Sequence, residues 1–327
     1  MSKPFIICLI PVKNEAWILE RCLAAASLWA DKIIVADQMS TDGSREIALK
    51  YPKALLIDNN SIDYNEDARQ KLLITEARKL CFEGKKLFIT LDADECLTAN
   101  FAETEEWKKL LKLAKGTVAT FNWLNLHPDG KQCWQPSYRF PWGFMDDGIT
   151  QHEGQSFHSS RIPLPENAPV FNCEEIKVLH YQFSDWERMQ SKHRWYQCYE
   201  LLNRPEMTPL SIFRMYHHMY GIQAIDFLPT NEKWFSFYEK QGIDMRSVQK
   251  DATYRWDSET TKLFDKYGEK YFSSLNIWQN SEPENDPRTK YQRTLHRYLL
   301  ATQIYQNQAT WIGRFVRLMD KFLKYTL

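Results

Sequence analysis

Lys86-Leu87-Phe88-Ile89-Thr90-Leu91-Asp92-Ala93-Asp94-Glu95 is an apolar run that ends in acid. It reads as a buried strand that delivers carboxylates to its C-terminal end, the edge at which open α/β sheets bind ligands. Two carboxylates one residue apart repel each other when both are ionised, unless a cation or a hydroxyl-rich ligand lies between them. Mg²⁺ or Mn²⁺ suits the place. Such ions take oxygen ligands and hold one or two carboxylates together with substrate phosphates, which points to a nucleotide diphosphate as the bridged group. An isolated Asp-x-Asp is also compatible with a strand running into an acidic turn or a helix N-terminus, so the flanking sequence has to decide.

Upstream, Phe5 to Pro11 reads as a strand that Pro11 ends, and Glu15 to Trp29 has the helical spacing of Ile18, Leu19, Cys22, Leu23 and Ala26. Lys32 to Ala36 is a second strand, ending at Asp37. Ser40-Thr41-Asp42-Gly43-Ser44 is turn and cap chemistry that opens a helix to about Tyr51. Leu55 to Ile57 again ends in an acid, Asp58. Asn65 to Leu80 is helical, with Ala68, Leu72 and Ala77 inward and Arg69 and Lys71 turned toward the loops. Strands alternating with helices imply βαβ units and a mostly parallel sheet.

Downstream, Glu103 to Ala114 reads as a helix and Thr117 to Leu126 as a strand, followed by the turn His127-Pro128-Asp129-Gly130 and a return strand near Gln132 to Phe140. From Pro141 to Ala168 the chain has the composition of a long functional loop region. Beyond Ser184 the patterns are mainly helical, interrupted at Pro205, Pro209 and Pro229, with a polar linker near Ser281 to Pro287. The expected division is a catalytic α/β domain over residues 1–184 and a helical region over 185–327.

The 327 residues are 43% hydrophobic and 26% charged, enough to bury a large core. Lys+Arg and Asp+Glu balance at 42 each, so no overall field favours nucleic acid. Seven dispersed cysteines without a C-x-x-C pair fit reduced thiols and a cytoplasmic location. The apolar run Phe5 to Val12 is too short for a membrane span and makes a poor signal peptide, and no other run is long enough to span.

Several ordered motifs carry a resemblance to a known family. Ile10-Pro11-Val12-Lys13-Asn14-Glu15, Arg21-Cys22-Leu23, Ala30-Asp31-Lys32-Ile33-Ile34-Val35-Ala36-Asp37, Ser40-Thr41-Asp42-Gly43-Ser44 and Leu91-Asp92-Ala93-Asp94-Glu95 together resemble the family 2 glycosyltransferases. The nearest likeness is to the branch that builds lipopolysaccharide cores and related surface polysaccharides. It covers roughly residues 4 to 100 and, more weakly, 117 to 196. The resemblance implies a GT-A fold, a nucleotide-sugar donor, Mn²⁺ or Mg²⁺, and inversion at the anomeric carbon. Pro11, Asn14 and Glu15 would then border the nucleotide base and ribose, with Asp37 facing one of them. Arg69 would approach the base or diphosphate, Asp92 would meet the ribose or donor sugar, and Asp94 would bind the metal. His180, in Val178-Leu179-His180-Tyr181, would complete the metal site or touch the diphosphate. One departure stands out: where the family has Asp-Gly-Ser or Ser-Gly-Ser after the second strand, this chain has Asp37-Gln38-Met39-Ser40.

Inverting transfer needs a carboxylate to take the proton of the attacking acceptor hydroxyl. Asp146, Asp147 and Glu153 compete for that role, and His152-Glu153 resembles the family's His-Glu pair, which favours Glu153. The acceptor would be a saccharide or a lipid-linked saccharide. Residues 311–324 form an amphipathic helix with Arg314, Arg317, Lys321 and Lys324 largely opposite an apolar stripe; it either docks on the protein or lies on anionic lipid. Two other readings of the chain stay open. One is a GT-A-like module that binds sugar or a partner without turnover, and the other a phosphatase of the haloacid-dehalogenase type, whose nucleophile also lies in Asp-x-Asp.

Overall fold

The structure is a computed structural model and describes residues 3–156, 158–222, 226–278 and 286–324. Strands β1 (Phe5–Val12), β2 (Lys32–Asp37), β3 (Ala54–Asp58) and β4 (Lys86–Thr90) alternate with helices α1 (Ala16–Ala26), α2 (Ser44–Leu49) and α3 (Glu66–Lys79). Then come β5 (Glu95–Leu97), α4 (Glu105–Leu110), β6 (Val118–Phe121), β7 (Trp123–Leu126), β8 (Gln132–Trp134), β9 (Phe140–Met145), β10 (Val170–Asn172) and β11 (Val178–His180). Helices α5 (Trp186–Asn203) and α6 (Pro209–Tyr216) precede β12 (Leu228–Pro229) and α7 (Ser236–Lys240). The last helices are α8 (Arg255–Tyr267), α9 (Lys290–Thr302) and α10 (Trp311–Leu323). The fold is thus mixed α/β with a mostly parallel sheet and a helical C-terminal part, as the sequence implied.

One sheet has the order β10-β6-β9-β4-β1-β2-β3, the other β12-β8-β7-β11-β5. In the first, β1 pairs in parallel with β2 and β4, and β3 continues in parallel beyond β2. Side chains alternate across a strand, so a central strand covered by helices on both faces must be apolar at every position. In β1 the residues Ile6, Cys8, Ile10 and Val12 share a core with Leu19, Cys22 and Leu23 of α1. Ile7 and Leu9 share the other core with Leu73, Ile74 and Ala77 of α3. Pro11 lies inside β1 and does not end it. It costs no ladder bond on the β4 side, because pairing there has already ended at Leu9 and Thr90.

The expected strand Thr117 to Leu126 divides at Asn122: β6 belongs to the first sheet and β7 to the second. Of the expected return strand only Gln132–Trp134 forms, as β8 beside β7; the next strand, β9, starts at Phe140 and occupies the beginning of the stretch expected to be loop, where it pairs between β4 and β6. Strand β9 is antiparallel to β4, with Met145 opposite Leu87, so its end lies at the start of β4. Gly143 allows β9 to pass close to β6, because a Cβ there would lie 2.8 Å from that of Ala119.

Residues 1–184 and 228–250 form one compact unit, and 185–227 and 251–327 form another. The expected division assigned 228–250 to the helical region, whereas its contacts are with the α/β unit. Phe235, Tyr238 and Met245 share the core of α1. Arg21 of α1 donates through Nε to the Asp244 carbonyl at 2.6 Å and also reaches the Ser247 carbonyl, while the Tyr181 hydroxyl donates to the Met245 carbonyl at 2.9 Å. A helical pattern in sequence does not reveal which core its apolar residues join. The second unit packs α5, α6 and α8 around Cys198, Ile212, Tyr216, Phe272 and Trp278. Most of the expected linker Ser281 to Pro287 lies outside the described residues.

Candidate active site

The parallel strands β1 to β4 end on one edge, and the chain after them brings the acids together there. Asn14, just beyond β1, has φ 55° and clamps the next loop: its N–H donates to Ser40 Oγ at 2.8 Å and its Oδ1 accepts from the Thr41 N–H at 2.7 Å. The N–H of Glu15 donates to Ser44 Oγ at 2.9 Å, and its Oε2 accepts from the Trp17 indole at 2.7 Å. Asn14 and Glu15 therefore tie β1 to the loop after β2, and Pro11 lies buried three residues before Asn14. Met39 has φ 53°, so it takes the left-handed conformation that glycine adopts most readily. The loop after β2 keeps a glycine-like path although it carries Met39. Gln38 braces it by donating to the carbonyls of Ser61 and Asp63.

Asp37 ends β2 with its side chain buried. Its Oδ2 accepts from Arg45 at 2.9 Å and from the Ser40 N–H at 3.1 Å, while its buried Oδ1 has no hydrogen-bond partner among the described residues. Arg45 also pairs with Asp58, the acid at the end of β3, at 2.8 Å. Arg69 lies in the first half of α3, over the Tyr64 ring and 3.8 Å from Glu66.

Beyond β4 the acids separate into two pairings. Arg161 donates to Asp92 Oδ2 at 2.6 Å and to both carboxylate oxygens of Glu95, and its guanidinium lies over the Trp142 ring. Glu95 is fully buried in β5, and burial pushes its carboxyl up to about 7 against the pull of Arg161. Asp94 faces His180. Strand register explains that meeting: β11 runs antiparallel to β5 with His180 opposite Glu95, and parallel to β7 with His180 opposite Asn125. Nδ1 of His180 donates to Asn125 Oδ1 at 2.6 Å, the ring stacks on Trp123, and Nε2 lies 3.8 Å from Asp94 Oδ2.

With Nδ1 as the donor, Nε2 presents its lone pair toward the carboxylate, and an imidazole with a carboxylate is a donor set that Mn²⁺ accepts. Among the described residues no group of three or more His, Cys, Asp or Glu is arranged to hold a metal. Two protein donors still fit an ion that draws its other ligands from substrate phosphates and water.

The loop after β9 runs back along α3. Asp146 and Asp147 lie at its start, on the edge opposite Asp92 and Asp94, where the Asp146 N–H donates to the Lys86 carbonyl at 2.8 Å. Asp146 accepts from Arg78 at 2.8 Å, and Asp147 accepts from the N–H groups of Ile149 and Thr150 at 2.9 Å. At the other end of α3, His152 is buried between Asp67 Oδ1 at 3.0 Å and the Ser160 carbonyl at 2.8 Å. Both ring nitrogens face oxygen acceptors, so His152 fastens the loop. Gly154 lets the loop close, since a Cβ there would overlap Ser159 Oγ. Glu153, between these two fixed residues, is exposed.

Sequence reasoning did not single out Arg161 or Asn125, and gave Glu95 no role of its own. Arg161 lies in an aperiodic loop, 66 residues from Glu95. Only the pairing of β5, β7 and β11 reveals Asn125. The basic run Lys192 to Arg194 serves the second unit internally: His193 Nδ1 meets the Tyr216 carbonyl at 3.1 Å, and Arg194 pairs with Asp257 at 2.6 Å.

No curated protein sequence matches the chain. Among solved structures, glucosyl-3-phosphoglycerate synthase from Mycobacterium tuberculosis, in complex with Mn²⁺, uridine diphosphate and glucosyl-3-phosphoglycerate, is similar over 37% of this chain and 44% of its own. The identity is 16% and the TM-score 0.28. The 4-diphosphocytidyl-2C-methyl-D-erythritol synthase from Anaerococcus prevotii is similar over 36% of this chain and 55% of its own, with 17% identity and a TM-score of 0.26. HddC from Yersinia pseudotuberculosis is similar over 54% of this chain and 93% of its own, with 11% identity and a TM-score of 0.34. The chain spans about half the length of the first two. Likeness this slight carries no weight for activity. The firmer finding is on the sequence: residues 7–117, from β1 to the start of β6, match the family model described as glycosyl transferase family 2.

Proposed function

We propose that the chain is a metal-dependent, inverting glycosyltransferase. It would move a sugar from a nucleotide-diphosphate donor to a hydroxyl of a saccharide or lipid-linked acceptor, in lipopolysaccharide or other cell-surface polysaccharide synthesis. The family match over residues 7–117 supports the class, and the observation that carries the reading is Asp37. A buried carboxylate oxygen without a donor is costly, and a nucleotide base or ribose supplies the missing N–H or O–H. Pro11, Asn14 and Glu15 would border the base and ribose beside Asp37, Arg69 would approach the base or diphosphate, and Asp92 would meet the ribose or donor sugar.

Asp94 and His180 are the residues that would hold Mn²⁺ or Mg²⁺, and the bound ion would offset the charge of the departing diphosphate. Glu153 takes the proton of the acceptor hydroxyl as that oxygen attacks the anomeric carbon. Asp67 and Ser160, through His152, keep Glu153 in place. The free thiols at all seven cysteines support a reducing, cytoplasmic setting.

Helix α10 supports a peripheral contact with anionic membrane. Its inner side is docked: Asp320 pairs with Arg214 at 2.9 Å, Gly313 and Val316 are buried, and Leu323 packs against the cluster of Leu210, Phe213, Leu295 and Leu299. Its outer side leaves Trp311 (77%), Phe315 (54%), Leu318 (50%) and Phe322 (71%) exposed in one row beside Arg314 and Lys321. Aromatic side chains flanked by basic ones match both layers of an anionic interface. Among the described residues no helix is long and apolar enough to cross a membrane.

Incubating the protein with a panel of nucleotide sugars, with Mn²⁺ or Mg²⁺ and then with chelator, tests the reading. Metal-dependent release of a nucleoside diphosphate from one donor is expected. Absence of both binding and turnover with every donor overturns it.

A further inference from the structure

The second unit contains a basic hollow of about 510 Å³, remote in sequence from the residues assigned to the donor, the metal and the acceptor proton. Its fixed wall is Arg288. This side chain meets both oxygens of Asp286, at 2.9 Å and 2.8 Å, and donates to Asn276 Oδ1 at 2.7 Å, so its guanidinium is held in one orientation. Another part of the lining is one face of α9, where Arg293, Arg297 and Leu300 follow each other at helical spacing. Arg293 reaches Asp286 only at 4.0 Å, and Arg297 has no ion-pair partner among the described residues. His296 lines the floor, where burial and the neighbouring Arg288 lower its pKa to about 4, so it is neutral near pH 7.

Among the described residues, three guanidiniums therefore face one hollow with a single carboxylate, Asp286, to offset them. Like charges one helical turn apart repel, and clustering them around empty space is unfavourable unless an anion joins them. Guanidinium groups suit phosphate oxygens in particular, because their planar forks donate two parallel hydrogen bonds. The volume is that of a small-molecule site, and Tyr220 and Leu300 offer apolar surface for a carbon skeleton.

We propose that this hollow is a binding site for a phosphate group carried on a small organic molecule, with Arg293 and Arg297 as the mobile ligands and Arg288 as the preset one. The site is independent of the donor site and needs no role for Asp37 or Asp94. The phosphate comes either from a soluble phosphorylated sugar or from a lipid headgroup.

The test uses the full chain and two probes, glucose 1-phosphate and vesicles containing phosphatidic acid. They are added to wild type, to the double variant Arg293→Ala/Arg297→Ala, and to a control double variant Arg314→Ala/Lys321→Ala on α10. Saturable binding of at least one probe is expected in wild type, weakened by roughly tenfold or more in the Arg293/Arg297 variant. Glucose 1-phosphate should bind the α10 control as it binds wild type. The unliganded melting temperature of the Arg293/Arg297 variant should stay near that of wild type, since Arg297 is exposed and Arg293 only partly buried. Binding of glucose 1-phosphate assigns a soluble ligand, and binding of the vesicles alone, weakened in the Arg293/Arg297 variant and kept by the α10 control, assigns a headgroup. Equal binding by wild type and the Arg293/Arg297 variant, or no binding of either probe by wild type, overturns the proposal.

Discussion

The guanidinium of Arg161 donates to Oδ2 of Asp92 at 2.6 Å, and the same group holds the buried carboxylate of Glu95. The cation between the strand-end acids is in part the protein's own, supplied by the loop that also carries Glu153. Arg161→Ala leaves a buried carboxylate uncompensated and should lower unfolding stability by about 3 kcal/mol. Arg161→Lys should recover only part, because one ammonium cannot span both acids as a fork does. Urea unfolding measures both; a loss below about 1 kcal/mol for Arg161→Ala would mean the three groups do not act as a unit.

Arg161 engages Asp92 and leaves Asp94 to His180. A nucleoside diphosphate should therefore raise the melting temperature only with Mn²⁺ or Mg²⁺ present, and Asp94→Ala should abolish the shift. An equal shift in excess chelator would remove the metal from the donor site.

Asp37→Asn keeps the shape of the β2 end but removes the charge that Arg45 and the Ser40 N–H now meet. Nucleotide affinity should fall by about tenfold or more while the preference between Mn²⁺ and Mg²⁺ stays the same. Unchanged affinity in a titration would move the base and ribose away from this strand end.

Glu153→Gln should leave donor binding intact and lower transfer by about 10²-fold or more, because the amide keeps the reach but not the basic lone pair. Asp146→Asn and Asp147→Asn should be milder in transfer, since both lie at the opposite sheet edge; Asp146→Asn should instead lower the melting temperature through Arg78. His152→Ala is the control. It should loosen the loop, and loss of transfer there alongside near wild-type turnover in Glu153→Gln would place the base one residue earlier.

The second unit should be acid-sensitive. Burial lowers the pKa of His217 to about 4, and burial with Arg288 does the same for His296, against an ordinary value near 6.5. The folded pKa values are depressed, so between about pH 4 and 6.5 the unfolded chain binds more protons. Stability present above 6.5 is then lost as pH falls toward 4, by on the order of 2–3 kcal/mol per histidine. Urea midpoints at about pH 7 and about pH 4.5 should show the loss, and His296→Gln should flatten it.

The βαβ rhythm, the strand-end acids and the helical C-terminal part were legible because each is written in local periodicity or in a run such as Leu91 to Glu95. The fate of Thr117 to Leu126 was not, because a change of sheet at Asn122 leaves no mark on apolar alternation. The contact of Asp94 with His180 depends on the register of β5, β7 and β11, which sequence spacing does not encode. Among the three acids after β9, the sequence favoured Glu153 only through the resemblance of His152-Glu153 to a family pair. Only the antiparallel course of β9 separates Asp146 and Asp147 from the edge that carries Asp92 and Asp94.

The return of residues 228–250 to the α/β unit has a bearing on synthesis as well as on architecture. A chain emerging from the ribosome has made β1 to β11 by residue 180, yet Phe235, Tyr238 and Met245, which complete the core beside α1, are still unmade. The first unit must wait, with part of its interior open, while the α5 and α6 segment is translated ahead of its missing piece. A fragment cut at Ser184 would be fixed in that unfinished condition, whereas one that joined 1–184 directly to 228–250 would hold the whole core.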